Sequence, residues 1–458
     1  MIFSSIEFLL CFLPVFFILY GITPAKCKNF TLLLGSLVFY AFGEPTYLVP
    51  LMVSVLMNYL MGLCLEPEAK KGNRSGRRAD RTNKRRNVIL FLAVAGNIGV
   101  LVLCKFGVHG LGMPLGISFY TFQILSYLID VYRGEVKKER SFVDLATYIT
   151  MFPQFVSGPI VNYSEVRSEL KARTFSPWGI QDGLKLFTMG LAAKVLLADR
   201  IGILWHEAQT TGFESLSQAY AWLAAIAFSL KIYFDFYGYS LMARGLGRMF
   251  GFELPENFRT PYMARSVRDF YRRWHITLGR WFCKYVYIPL GGNRKGELRT
   301  IGNLLLVWVL TSLWHGASLN FFFWGGILWL CIVLERQCEK RGLFQDWKIL
   351  PHIYLWMVIP VTWMCFAITD FRELVVYLGR MTGLMEGINV RGNDWVLALK
   401  DYWYLFLCCG LSCTPFVQNV YRRVKDTLPG KLILAALFWI CIRRITLEGG
   451  NPFLYFRF

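Results

Sequence analysis

Long apolar segments recur through the whole chain, at about 2–20, 30–43, 46–65, 88–104, 115–131, 145–161, 184–198, 218–237, 301–314, 319–334, 351–369, 402–417 and 431–442, with charged connections between them. No other feature limits the fold as much. A helix crossing the hydrocarbon layer needs about twenty apolar residues, and 55% of the 458 residues here are hydrophobic, so the chain can supply roughly ten to twelve spans. This excludes a soluble enzyme. With no long polar linker between the apolar runs, residues 1–458 read as a single all-α integral membrane domain.

The formal charge is +20, from 50 Lys and Arg. These cations lie between apolar runs instead of forming one basic domain, which argues against nucleic acid as a partner. The densest cluster is the connection 66–87, with Lys70, Lys71, Arg74, Arg77, Arg78, Arg81, Lys84, Arg85 and Arg86. Short basic loops stay in the cytoplasm. Counting back two spans puts Lys26 and Lys28 on the same side and the N-terminus outside. The first run, Ile2 to Tyr20, carries Glu7 and lacks a basic leader, so it reads as a retained helix. Most cysteines fall inside apolar runs without paired spacing, which points to neither a disulfide framework nor a metal site.

Two segments, 115–131 and 145–161, contain Gly, Pro and polar groups and are expected to be broken or re-entrant. The stretch Pro255 to Arg299 differs in kind, because ten basic residues alternate there with Trp274, Trp281, Phe282, Tyr285 and Tyr287. At about 100° per residue, Arg273, Arg280 and Lys284 share one face of a helix over 268–287, and Trp274, Leu278, Trp281, Phe282 and Tyr285 form the adjacent stripe. An amphipathic helix at the membrane interface follows. His275 falls at the edge of the aromatic stripe, pointing inward, and Pro289 to Arg294 forms a closing turn.

Of five histidines, His109, His206 and His352 sit in turns or connections and read as structural or exposed. His315, in Leu313-Trp314-His315-Gly316-Ala317 between two apolar runs, is either a neutral imidazole bridging helices or a functional group, since an ionisable residue at membrane depth is costly. A desolvated neutral imidazole can take a proton from a hydroxyl and return it to a leaving group, which suits acyl transfer, and Gly316 and Ala317 leave a substrate room beside it. Asp235 needs a partner, either a histidine or an arginine between 265 and 280. Arg272, Arg273, Arg280 and Lys284 suit anionic lipid headgroups or the phosphates of an acyl donor such as coenzyme A.

The run Arg272-Arg273-Trp274-His275-Ile276-Thr277-Leu278, followed by Leu313-Trp314-His315-Gly316, resembles the membrane-bound O-acyltransferase family. Supporting stretches are residues 117–122, 152–160, 234–240, 255–258 and 451–456. Val286 to Arg294 is similar to the alginate O-acetyltransferase branch of bacteria. The chain departs from that branch at Leu241, where an acid is usual, and at Tyr271, where tryptophan is common.

The resemblance implies many helices around a funnel or tunnel, with signature region 255–320. His315 is then the central catalytic base and His275 a second catalytic position, commonly Asn or His, that orients substrate or helps at the acyl group. Trp274, Trp314 and Asp235 are supporting residues. The implied protein is an acyltransferase of the bacterial inner membrane. It has no bound cofactor, takes acetyl-CoA or an acyl-carrier thioester as donor, and acts with a relay acetyltransferase and a polysaccharide acceptor. Alternatives are D-alanyl transfer to teichoic acid and, in a different class, a proton-coupled transporter or flippase.

Overall fold

The computed structural model describes residues 2–67, 76–107, 112–155, 158–343 and 347–449, with the side chains of 76–82 outside that description. Several residues singled out above lie outside it: Lys70, Lys71, Arg74, the side chains of Arg77, Arg78 and Arg81, His109, Val156, Ser157 and the tail 451–456. Among the described residues the regular elements are helices, apart from one isolated bridge between Phe258 and Trp274.

In chain order the helices are α1 (Leu13–Ile22), α2 (Lys28–Gly43), α3 (Leu48–Leu65), α4 (Gly76–Lys105), α5 (Ile117–Arg133), α6 (Phe142–Thr150), α7 (Phe152–Phe155), α8 (Tyr163–Lys171), α9 (Pro177–Ala192) and α10 (Asp199–Thr211). They continue with α11 (Gln218–Met249), α12 (Val267–Arg273), α13 (Ile276–Phe282), α14 (Glu297–His315), α15 (Leu319–Lys340), α16 (Leu350–Ala367), α17 (Phe371–Thr382), α18 (Asp394–Cys413), α19 (Pro415–Val424) and α20 (Leu428–Glu448). Six helical stretches among the described residues are long and apolar enough to cross a membrane: Pro45–Leu65, Asn83–Lys105, Gln218–Met249, Leu319–Lys340, Leu350–Ala367 and Asp394–Cys413. The protein is therefore an all-α, multi-pass membrane protein. Other apolar segments of the sequence fold as shorter helices, such as α2 with 16 residues and α5 with 17.

The contacts divide the chain into two compact units. The first comprises Met1–Phe187 and Met242–Pro255. Phe152 is a hub of its core, with ring centroids 5.5 Å from Phe16, 5.5 Å from Phe39 and 5.7 Å from Phe250. Helix α5 is buried at all but three of its positions and is continuous, so the break expected in 115–131 is absent. Gly134, at φ 75°, ends it by donating to the carbonyls of Asp130 and Val131. The break expected in 145–161 is present: Met151 separates α6 from α7. Arg86, from the basic connection, donates to the carbonyls of Leu65 and Tyr132 at 2.9 and 2.6 Å, so part of that charge satisfies the C-terminal ends of α3 and α5. Helices α9 and α11 approach at Gly183 and Gly245, where a Cβ on either would lie 2.5–2.6 Å from the other's carbonyl oxygen. Small residues allow this spacing between membrane helices.

The second unit comprises Thr188–Leu241 and Glu256–Phe458. Here α14 and α15 form a hairpin whose turn is only Gly316, Ala317 and Ser318, so His315 is the last residue of α14. A side chain at Gly325 would collide with Ser312 across the hairpin. That close approach places the end of α14 against aromatic residues of α15 and α16.

Candidate active site

His315 is 6% exposed and enclosed by rings. Its centroid lies 4.7 Å from Trp314, 5.1 Å from Trp324, 5.1 Å from Phe366 and 6.1 Å from Phe321. The imidazole also lines a cavity of about 260 Å³ within the second unit. The same cavity is lined by His275, Trp274 and Tyr271, and by Trp308 from the helix of His315. Cys283 and Thr311 add a thiol and a hydroxyl to this otherwise largely aromatic and aliphatic lining. Sequence reasoning brought His315 and His275 forward separately, and the fold brings both to one cavity.

The space beside Gly316 is not open to substrate. A Cβ there would come within 2.8 Å of Phe321 Cδ2, and nearer still to Cε2, so the Phe321 ring occupies the room that the small residue leaves. Gly316 is a packing requirement, and the open space that His315 borders is the cavity.

The continuous amphipathic helix expected over 268–287 is two helices. After α12 the chain turns extended at Trp274, which bridges to Phe258, and then left-handed at His275, with φ 46° and ψ 52°. Backbone bonds from Arg259 N to Arg273 O (2.9 Å) and from Ile276 N to Asn257 O (3.0 Å) compete with helical pairing and break the helix there. Helix α13 follows, then a π-helical turn over Cys283–Tyr287 and the expected turn with Gly291 and Gly292 at positive φ. One stripe and one basic face therefore do not run through the whole segment.

His275 is buried, edge-on to Phe236 at 4.8 Å and 6.0 Å from Trp314. Burial pushes its imidazole down to about 3, so the ring is neutral at physiological pH. Its Nδ1 lies 3.1 Å from Asn257 Oδ1, which also accepts from Thr277 N at 3.2 Å and Thr277 Oγ1 at 2.9 Å. Asn257 belongs to a stretch noted in the sequence, yet nothing in its local spacing singles it out. Its role appears only when residues 257–259 pair with 273–276.

The four cations expected to bind phosphates have different settings. Arg273 is bonded to Asp269 on its own helix, at 3.0 and 3.1 Å, and Lys284 lies over the Tyr285 ring at 5.1 Å. Arg272 and Arg280 are exposed. None of the four lines the cavity. Asp235 meets neither expected partner class among its described ion pairs: its Oδ1 is 2.9 Å from Lys194 Nζ, which also reaches Asp199 at 2.5 Å. Lys194 had a signal in the sequence, as a cation inside the apolar run 184–198, and a buried carboxylate selects such a partner. Leu241 is buried, as an apolar residue tolerates without a partner. Among the described residues no cluster of His, Cys, Asp and Glu is arranged to hold a metal ion.

Comparison with known proteins places the chain among acyltransferases by sequence. The profile of the membrane-bound O-acyltransferase family matches residues 37–371. The probable alginate O-acetylase AlgI of Pseudomonas putida is 31% identical over 509 residues, covering 100% of each chain. The peptidoglycan O-acetyltransferase of Helicobacter pylori is 33% identical, with 85% of this chain and 81% of that one aligned. The teichoic acid D-alanyltransferase of Bacillus subtilis is 27% identical over 57% of this chain and 69% of its own.

Proposed function

Because the chain belongs to the membrane-bound O-acyltransferase family, we propose that it moves acetyl groups from a cytoplasmic thioester across the bilayer for O-acetylation of an exported or cell-surface polysaccharide. The observation that carries this reading is the His315 imidazole in the wall of a small, largely apolar cavity. Neutral His315 takes the proton of an acceptor hydroxyl as the oxygen attacks the thioester carbonyl. The C–O bond forms, the C–S bond breaks, and the imidazolium returns the proton to the departing thiolate. His275 shapes the place where the acyl group lies.

A cavity of about 260 Å³ is below the roughly 300–1,000 Å³ of sites that enclose drug-sized ligands. It suits the acyl end of a donor such as acetyl-CoA or an acyl-carrier thioester. The charged remainder stays in water and so avoids the cost of desolvation. Arg272, Arg273, Arg280 and Lys284 are the cations assigned to its phosphates or to lipid headgroups. In this reading residues 1–458 act as one domain of a bacterial inner membrane. The N-terminus is outside, the connection 66–87 is cytoplasmic, and a membrane-anchored or exported acetyltransferase receives the acetyl group.

D-alanyl transfer is the second reading, favoured by the likeness to the Bacillus subtilis protein. Acetyl transfer leads because the acetylase relatives match more of the chain at higher identity. The two separate when purified protein and membrane extract receive either labelled acetyl-CoA or a D-alanyl carrier thioester. Label reaching polysaccharide or an exported transferase from acetyl-CoA supports the proposal, and transfer from the carrier alone replaces it.

A further inference from the structure

Position 275 has a backbone that few residues tolerate. In the left-handed region, Asn, Asp and His are enriched among non-glycine residues, and β-branched or bulky ones are outliers. His275 stands at the N-cap of α13 but its own side chain does not cap the helix. The cap comes from Asn257, eighteen residues earlier, whose amide oxygen accepts the Thr277 N–H, one of the donors that a helix start leaves unsatisfied.

That bond also fixes the amide. A backbone N–H donates and requires an oxygen opposite it, so Oδ1 is the atom facing Thr277 and His275. An amide oxygen only accepts. The proton of the neutral imidazole therefore sits on Nδ1, and the lone pair is at Nε2. Held this way, the ring lies against Trp314, the residue before His315.

We propose that Asn257 is a positioning residue for this site: one amide oxygen caps α13, holds residue 275 in its left-handed turn and sets the imidazole against Trp314. Position 275 then supplies acyl transfer with a wall of fixed shape, and proton transfer belongs to His315 alone. The inference rests on the acyltransfer reading above and narrows it.

The test uses the full chain in lipid bilayers, labelled with ¹⁵N-histidine, with variants Asn257→Ala, Asn257→Asp, His275→Asn and His275→Ala. One readout is independent of activity. Between about pH 5 and 8, one imidazole of the parent keeps a protonated Nδ1 and an unprotonated Nε2. That signal is lost in His275→Asn and displaced in Asn257→Ala. The second readout is acetyl transfer from acetyl-CoA. Asn257→Ala lowers kcat about 10²-fold while the inflections of the pH–rate profile stay in place, and Asn257→Asp, which keeps an acceptor oxygen, recovers part of the rate. His275→Asn, which fits the left-handed turn, is faster than His275→Ala by about tenfold.

An Nε2–H tautomer in the parent, or an undiminished rate in Asn257→Ala, overturns the role of Asn257. Loss of an inflection from the rate profile in His275→Asn makes that imidazole a proton carrier and overturns the division of labour. A parent that transfers no acetyl group refutes the acetyl-transfer reading and, with it, the predicted effects on acetyl transfer; the spectrum still decides the tautomer.

Discussion

The Lys194 ammonium lies 2.9 Å from the Asp235 carboxylate, and both side chains are 3% exposed. Each charge is tolerable there because of the other, with Asp199 as a second anion on the same ammonium. Lys194→Met removes the cation and leaves carboxylates buried without it. The expected loss is about 3–5 kcal/mol, seen as early aggregation or a lower melting temperature in detergent. Adding Asp235→Asn to the same chain should recover part of it. A Lys194→Met protein as stable as the parent would show that the pair holds nothing together.

Gly316→Ala forces a methyl group into the Phe321 ring. Overpacking of this kind costs about 1–3 kcal/mol, and the displaced ring is a neighbour of His315, 6.1 Å away, so both thermal stability and turnover should fall. Phe321→Leu in the Gly316→Ala background makes room and should restore melting temperature. Unchanged stability in the single variant would mean that the space is open after all.

His275 gives the stability a defined pH dependence. Its folded value lies near 3, below the ordinary 6.5, so the unfolded chain binds a proton that the folded chain refuses. Stability is fully present above 6.5 and is lost as pH falls from there toward 3, by about 1.4 kcal/mol per pH unit for one proton. Melting temperatures at stepwise lower pH should therefore decline less steeply in His275→Asn than in the parent. Parallel declines would contradict a buried neutral ring.

Much of the architecture was legible because hydropathy acts locally: each apolar run reports its own burial whatever its neighbours do. His315 was legible for the same reason, as one ionisable group between two apolar runs. The break at Trp274 and His275 was not, since nothing in residues 268–287 forbids a helix and the competing hydrogen bonds come from 257–259. Nor was the partner of Asp235, forty-one positions from Lys194, because helical periodicity gives a residue's face and not which helix covers it. At Gly316 the smallness was visible, but only the fold shows that Phe321 fills the space.

The most direct measurement compares parent and His315→Ala for transfer of label from radiolabelled acetyl-CoA in the presence of membrane extract, with melting curves taken on the same preparations. A general base is worth about 10²–10⁴ in rate. Turnover should fall by that factor while the variant stays folded. Equal transfer by the two folded proteins would contradict a role for this imidazole as the base.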